Sequence, residues 1–486
     1  MEQVRKFVFD VGWSLISAVV TLLIGFLLRV ILARWLGAAD LGLYTMIITA
    51  QGIGVFVAGI GVPLALTKYV AEYKDDRDRL IEITSAAFIS SVIFGLVTGV
   101  LLYVLSGVLA DVFDMPGLAE LFTILAFLFP FSSIIQTLLG LFNGLRWMRN
   151  YAYLMILRSF LLILLTVTLV WLGFGVKGAV SGIVLSAIGS CIFGLYSSRK
   201  LLHLNLRGFF QGVKRLVPFG SQVFAADALD LMLQYTDTIL IGYFLAARDV
   251  GYYSVAVTLA TFFTVIPHAI QRITYPATSE YWSKKNHQAL AEMIDKSMKY
   301  SSYMLLPLGL GVGFFAKEIV TWIFGQEFVY AALPLCVLLI AKVIRGSTIV
   351  PVGASFSGVG RPDLALKFSA ISAGVNAGLN FLLIPSLGIL GAAIATTTSV
   401  LLVVIVFLVF MPKILGVGID IQWYAKALGF ACIAIALFLG LTKLIHPFIV
   451  SGVILCGYVI LVFKLLLTKE DKTTLVSLAR SLVTRR

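Results

Sequence analysis

Charged and amide side chains occur inside several long apolar runs of this sequence, where such residues are rare and usually functional. One predicted helix carries four of them at intervals of three, four and three residues: Asp227, Asp230, Gln234 and Asp237. This spacing places all four on the same face of a helix. The stripe could line a polar cavity, pair with cations on another helix, or bind a coupling cation.

Three cations lie too deep in their apolar runs to reach an interface easily. Arg29 lies about two-thirds of the way through the first run, and Lys342 and Arg345 share one helix face in the middle of another. They could compensate the desolvation of an anionic group that leaves the headgroup layer, or pair with the acids. Five further cations lie nearer to the ends of their runs, where interfacial anchoring is the simpler expectation: Arg34, Arg158, Arg248, Arg272 and Lys317.

Two asparagines and a run of threonines add neutral polar groups. Asn376 and Asn380 are four positions apart and therefore share a helix face, and Thr396 and Thr397 belong to the segment ATTTS in the next apolar run. Their oxygen atoms suit a hard cation. The alternative is hydrogen bonding between helices, without any ligand.

The elements that must position these residues are transmembrane helices. Hydrophobic residues make up 60% of the chain and charged residues 13%, with a mean hydropathy of +1.01. Apolar runs of about 20 residues can cross about 30 Å of hydrocarbon as helices. We therefore predict an all-α polytopic membrane protein with about fourteen spans, at residues 11–33, 43–65, 83–105, 118–141, 153–173, 178–197, 218–244, 251–274, 301–324, 331–356, 366–385, 391–411, 424–445 and 449–467.

Lysine and arginine fall mainly on one side of this topology. Connections on the side of the N-terminus, such as KYVAEYKDDRDR and KKNHQALAEMIDKSMK, are rich in lysine and arginine, whereas opposite connections such as AARDVG and GQEFVY carry few of either. The positive-inside rule then predicts two cytoplasmic termini in a plasma or inner membrane. The net charge of +13 reflects this topology, so we expect no nucleic-acid partner.

An internal repeat divides the chain. The segment ILARWLGAADLGLYTMIITA aligns with ILIGYFLAARDVGYYSVAVTLA about 208 residues later, which matches Gly42 to Gly251 and Tyr44 to Tyr253. Two units of six helices each would point the same way through the membrane, as a parallel repeat. The predicted organisation is an N-lobe at 1–200, a cytoplasmic amphipathic linker at 201–217, a C-lobe at 218–413, an extra helix pair at 414–467 and a basic cytoplasmic tail at 468–486.

With these motifs the sequence resembles the polysaccharide-unit (oligosaccharidyl-lipid) flippases of the multidrug/oligosaccharidyl-lipid/polysaccharide exporter superfamily. The resemblance rests on ARWLGAADLGLYT, on DTILIGYF followed by DVGYYSVA, and on FSGVGRPDLALK, and it extends over the chain in helix order. It implies two lobes that move a polyprenyl-diphosphate-linked oligosaccharide from the cytoplasmic to the outer leaflet by alternating access. The last helix pair is similar to one that forms a groove for the lipid tail in the peptidoglycan-precursor branch.

The resemblance also implies roles for the polar residues. In the peptidoglycan-precursor branch a sodium site uses an Asp, an Asn, an acid and a Thr. The similar positions of this chain are Asp237, Asn376, Asn380, and Thr396 or Thr397. Asn380 departs from the pattern because it replaces the acid. Substrate contacts are expected from Arg29, Lys342, Arg345, Asp227, Asp230 and Gln234.

Other functions stay open beside the flippase. A multidrug or cation antiporter of the same superfamily is the main alternative, although its cavities usually carry acids for cationic drugs. A membrane glycan polymerase or ligase is disfavoured because the sequence has no large external loop and no Ser/His/Asp, HExxH or Walker arrangement. We expect a transporter without a cofactor, with sodium or a proton as the candidate coupling ion. Membrane lipids and a lipid-linked sugar are its expected partners, and its oligomeric state is open.

Overall fold

The computed structural model describes residues 2–199, 209–353, 355–416, 418 and 420–467, and every secondary-structure element in these ranges is helical. The predicted all-α fold class is therefore confirmed. The last residue of the predicted N-lobe, at 200, part of the predicted linker, at 201–208, and the whole predicted tail, at 468–486, lie outside the described residues.

The helices follow the apolar runs of the sequence. In the first part of the chain they are α1 (Glu2–Gly59), α2 (Val62–Glu72), α3 (Arg77–Val112), α4 (Gly117–Ala126), α5 (Leu128–Gly144), α6 (Met148–Leu169), α7 (Gly175–Ser198) and α8 (Phe209–Phe244). In the second part they are α9 (Ala247–Thr261), α10 (Val265–Ser283), α11 (His287–Phe314), α12 (Ala316–Phe324), α13 (Ala332–Gly353), α14 (Ser355–Gly358), α15 (Pro362–Leu387), α16 (Ile389–Leu415), α17 (Ile421–Leu441) and α18 (Pro447–Leu461). Short 3₁₀ or π turns adjoin α6, α9, α12 and α18.

Many of these helices can cross a membrane. Within the described ranges, nine helical segments are long and apolar enough to do so, or eleven if two bent helix pairs each form one span. Glycines with positive φ break two long segments, α1 at Gly37 and the α6–α7 segment at Gly173 and Gly175. The chain is thus a multi-pass membrane protein, and the number of fourteen spans stays a prediction.

Two compact units make up the chain. Unit 1 comprises Met1–Val255, Ile323–Phe328 and Asn380–Ala392. Unit 2 comprises Ala256–Trp322, Val329–Leu379 and Ala393–Arg486.

Within unit 1, the two glycines that the repeat matches lie at one helix crossing. A methyl group on Gly42 would collide with the carbonyl oxygen of Ala247, and one on Gly251 would collide with the carbonyl oxygen of Ala38. Each glycine therefore packs against the backbone four residues before the other glycine. Close approach through small residues is the usual way in which helices associate in lipid, where apolar side chains gain little by leaving the bilayer.

Two hydrogen bonds in unit 1 flank the break in α1 at Gly37. Gly37 has φ 78°, and the N–H of the next residue, Ala38, donates to Oε1 of Glu327 at 3.1 Å. On the other side of the break, Nε of Arg34 donates to the Ile323 carbonyl oxygen, near the end of α12, at 2.8 Å. Arg34 is therefore more than the interfacial anchor expected from the sequence, because it satisfies a carbonyl at a helix end.

Unit 2 has an apolar core between α11, α17 and α18. The hydroxyl of Tyr303 and the indole N–H of Trp423 both donate to the Leu466 carbonyl oxygen, at 2.9 and 3.2 Å. At the start of α17, Asp420 accepts a hydrogen bond from the backbone N–H of Trp423 at 3.0 Å and forms a 3.2 Å ion pair with Lys299. This carboxylate is the N-cap of α17.

Candidate functional site

Asp237 is the centre of a buried polar cluster in unit 1. It lies on α8, is 8% exposed, and accepts hydrogen bonds from the Tyr253 hydroxyl at 2.6 Å and from Nδ2 of Asn380 at 2.7 Å. Tyr253 is 2% exposed and Asn380 is fully buried. The Oδ1 atom of Asn380 is buried without a hydrogen-bond partner among the described residues. The cluster thus combines a carboxylate with an unsatisfied amide oxygen.

The matching place in the first copy of the repeat holds a cation. Arg29 on α1 is half-buried, and its Nη1 lies 3.4 Å from the carbonyl oxygen of Ser254. Tyr44, which the repeat matches to Tyr253, is buried and interacts electrostatically with Arg29. A buried tyrosine therefore accompanies the charged residue in both copies, although the charges are opposite.

Two adjoining cavities open among the helices of unit 1. The larger, of about 450 Å³, has mainly apolar and glycine walls, with Thr67, Gln136 and Asn143 among its polar residues. The smaller, of about 310 Å³, is called the Arg158 cavity below. Its polar residues are Gln51, Gln136, Arg158, Ser186 and Tyr235. Among the described residues, neither cavity has an acidic side chain in its wall.

Arg158, which the sequence suggests as an interfacial anchor, lines a cavity in the structure. The helix that carries it, α6, begins at Met148, whereas the predicted span begins at 153. Arg158 therefore lies about 15 Å of helix rise from that end and enters a cavity wall. The predicted start was late because Tyr151 and the polar residues before it look like a loop, although they belong to the helix.

The remaining predicted site residues lie mainly in unit 2. On α13, Lys342 is half-buried and Arg345 is exposed. Nδ2 of Asn376 donates to the Thr396 hydroxyl at 3.0 Å, and the Thr397 hydroxyl donates at 2.9 Å to a backbone carbonyl of α13. These contacts of Asn376 and the two threonines are hydrogen bonds between helices within the unit.

The acidic stripe on α8 is described only in part. Gln234 is exposed, and Asp237 is buried in the cluster above. The side chains of Asp227 and Asp230 lie outside the part of the chain that the structure describes. A shared face of the four residues follows from their helical spacing, and its role in substrate binding stays a prediction.

Two features of the site could not be found by spacing along the sequence. Tyr253, the partner of Asp237, belongs to another helix, and only its place in the repeated motif marks it as unusual. The polar wall of the Arg158 cavity comes from five helices, α1, α5, α6, α7 and α8. No local periodicity connects residues so far apart in the chain.

Charged side chains in apolar helices, together with cavities inside a helix bundle, are features that membrane transporters have. The comparison of sequences is more specific. Residues 31–333 match the family model described as polysaccharide biosynthesis protein, and the chain belongs to that family.

Curated relatives and solved structures agree with this family. The chain is 25% identical over 374 residues to a probable low-salt glycan biosynthesis flippase of Haloferax volcanii, covering 76% of this chain and 75% of the relative. It is 26% identical over 467 residues to stage V sporulation protein B of Bacillus subtilis, covering 87% and 86%. Its fold is similar to that of a lipid II flippase in an inward closed conformation, with a TM-score of 0.74, 14% identity and coverage of 92% and 98%.

Proposed function

We propose that this chain flips a polyprenyl-diphosphate-linked oligosaccharide from the cytoplasmic to the outer leaflet by alternating access. One observation carries the proposal: the chain segment that matches the polysaccharide biosynthesis family contains two adjoining cavities whose walls include polar side chains, inside an otherwise apolar bundle. Amide, hydroxyl and guanidinium groups in such walls suit a hydroxyl-rich sugar and an anionic linker. The lipid tail can stay in the bilayer, against the exposed apolar faces of the helices.

The relatives support a transporter rather than an enzyme. One is named a flippase of glycan biosynthesis, and the structural relative is a lipid II flippase. Transfer of a lipid-linked sugar between leaflets requires that a polar headgroup cross about 30 Å of hydrocarbon. Polar cavities and buried charges would lower the cost of that step by replacing water around the headgroup.

The cations predicted from the sequence keep their proposed role in binding the phosphates. Arg29 lies beside Ser254 and Tyr44 in unit 1, and Lys342 and Arg345 share one face of α13 in unit 2. The stripe of Asp227, Asp230 and Gln234 is proposed to contact sugar hydroxyls. In the proposed orientation both termini are cytoplasmic, in the plasma or inner membrane, because the connections on that side are the cationic ones.

A coupling cation is part of the proposal, with Asp237 and Asn380 as its first ligands. Their carboxylate and amide oxygens are the ligand types that sodium prefers, and the buried Oδ1 of Asn380 is a polar atom in need of a partner. Asn376, Thr396 and Thr397 remain proposed ligands from the resemblance alone. Sodium should raise the melting temperature of the purified protein relative to choline, and Asp237→Asn should abolish this difference. An equal response in wild type and variant would remove sodium from the mechanism.

Transport can be tested directly in vesicles. The full chain, reconstituted into liposomes that contain a fluorescent polyprenyl-diphosphate disaccharide, should expose the inner-leaflet label to an external quencher. Replacement of Arg29, Lys342 and Arg345 together by glutamine should reduce the rate at least about tenfold, because each phosphate contact is a charge-assisted hydrogen bond. Lys317→Gln, at an exposed position on α12, is the matched charge control. Export of cationic dyes without movement of the lipid would instead identify a cation antiporter.

A further inference from the structure

Arg158 is a cation without a counter-charge in the described structure. Among the described residues its guanidinium has no hydrogen-bond or ion-pair partner, and no acidic side chain lines its cavity. A charged side chain away from the membrane surface costs at least a few kcal/mol unless water, a counter-charge or a ligand solvates it. Arg158 lines a cavity of about 310 Å³, which is large enough for any of these.

The cavity lies deep in the bundle. Distances along each helix follow from its rise per residue. Gln51 lies about 21 Å from the break in α1 at Gly37, Arg158 lies about 16 Å from the end of α6 at Leu169, and Tyr235 lies about 14 Å from the end of α8 at Phe244. Half of a hydrocarbon core is about 15 Å. Residues from three helices, each several turns from the helix end named above, thus line one cavity inside unit 1.

Neutral amide and hydroxyl side chains line the same cavity as Arg158. The Tyr235 hydroxyl and the Gln136 amide have no hydrogen-bond partner among the described residues, and Gln51 places a further amide in the same wall. Gly52 lies in the same wall, and a methyl group at this position would collide with the Tyr235 hydroxyl. The absence of a side chain at Gly52 therefore leaves the space that the Tyr235 hydroxyl occupies. One fixed positive charge with several unsatisfied amide and hydroxyl groups is a suitable site for a phosphate.

We infer that the Arg158 cavity is a phosphate subsite, in which Arg158 binds the diphosphate of the lipid-linked substrate and Gln51, Gln136 and Tyr235 supply neutral hydrogen bonds. The assignment rests on the proposed function for the identity of the substrate, but the binding of an anion does not depend on it. It adds a position on α6 to the cations recognised from the sequence. Because α6 belongs to unit 1, this subsite is complete within one unit.

Binding of inorganic diphosphate to the purified full chain tests the subsite without transport. Wild type should bind the probe in calorimetry, and Arg158→Gln should weaken binding by about ten- to hundredfold, as expected for loss of a charge-assisted contact. Arg158→Lys should restore part of the affinity, because it keeps the charge but loses the planar fork. Arg149→Gln is the control, since it removes an exposed cation from the same helix, outside both cavities.

The stability of the ligand-free protein separates a binding role from a structural one. If Arg158 serves a ligand, Arg158→Gln should melt at the same or a higher temperature than wild type, because an uncompensated cation is removed. If Arg158→Gln melts at a lower temperature than wild type, and Arg158→Lys does not restore diphosphate binding, then Arg158 stabilises the folded protein and does not bind a ligand. This result would overturn the inference. Absence of diphosphate binding by wild type, or equal binding by Arg158→Gln, would also overturn it.

The vesicle assay then distinguishes this inference from the proposed function. If wild type binds diphosphate through Arg158 but moves no lipid-linked sugar, the subsite stands and the transported substrate is wrong. If wild type moves the lipid and Arg158→Gln moves it equally fast, the proposed function stands and Arg158 is not part of the substrate site.

Discussion

Removal of one hydroxyl should show how strongly the Asp237 cluster stabilises the fold. Tyr253→Phe keeps the aromatic ring and removes the hydroxyl, which donates a 2.6 Å hydrogen bond to a carboxylate that is 8% exposed. Hydrogen bonds to charged groups contribute about 1.5–3 kcal/mol in soluble proteins, but membrane proteins average about 0.6 kcal/mol with a maximum near 1.7 kcal/mol. Because the acceptor is charged and buried, we expect a loss of about 1–2 kcal/mol.

The matched control is another buried tyrosine. Tyr458 is 2% exposed, and its hydroxyl has no hydrogen-bond partner in the described structure. Tyr458→Phe should therefore leave the free energy of unfolding unchanged or raise it, since a buried polar group without a partner is removed. The two variants differ in one respect, the presence of an acceptor.

Equilibrium unfolding in mixed micelles, followed by tryptophan fluorescence, measures both variants. A double-mutant cycle with Asp237→Asn isolates the coupling between Tyr253 and the carboxylate, which should account for most of the loss. A coupling close to zero, or a loss in Tyr458→Phe as large as that in Tyr253→Phe, would refute the view that the cluster is held by its charged acceptor.

Three further perturbations test other contacts of the chain. Gly42→Ala should cost about 1–3 kcal/mol through overpacking at the helix crossing, whereas Gly25→Ala, which has open space around it, should cost little in the same unfolding experiment. Glu327→Gln should weaken the hydrogen bond from the Ala38 N–H by less than about 1 kcal/mol, because the carboxylate is exposed. Hydrogen exchange of the Ala38 amide should therefore become faster, and an unchanged exchange rate would exclude the contact. The hydrogen bond from the Trp423 N–H, with help from Lys299, holds the pKa of Asp420 below its ordinary value. Its stabilisation is therefore present above about pH 4 and lost as the pH falls through the lowered pKa, and Asp420→Asn should remove this acid-dependent part of the melting curve.

Some of these features follow from the sequence because they depend on local pattern. The apolar runs predict the helices, and the alignment of Gly42 with Gly251 identifies two positions that meet at one crossing. Asp237 and Asn380 stand out as polar residues in apolar runs, and they are in contact at 2.7 Å. That they bind a cation stays a prediction.

Other features depend on which helices become neighbours. The helix that carries Arg158 begins at Met148, before the predicted start at 153, because the polar residues there look like a loop. Its cavity is built by side chains that lie far apart in the chain, so the composition of the wall appears only after folding. The number of spans is likewise hard to predict from the sequence. Breaks at glycines such as Gly37 divide long helical segments, and hydropathy alone does not show whether such a segment crosses the membrane once or twice.

The crossing of Gly42 and Gly251 has the geometry of an isologous contact, in which the same surface of two copies faces itself about a twofold axis. Two separate copies of a single-repeat ancestor could meet there as a homodimer, since only backbone approach is required. Such a dimer would have to carry identical residues at the two places now held by Arg29 and Asp237. One chain that holds both copies is free of that constraint and can place opposite charges at repeat-related positions.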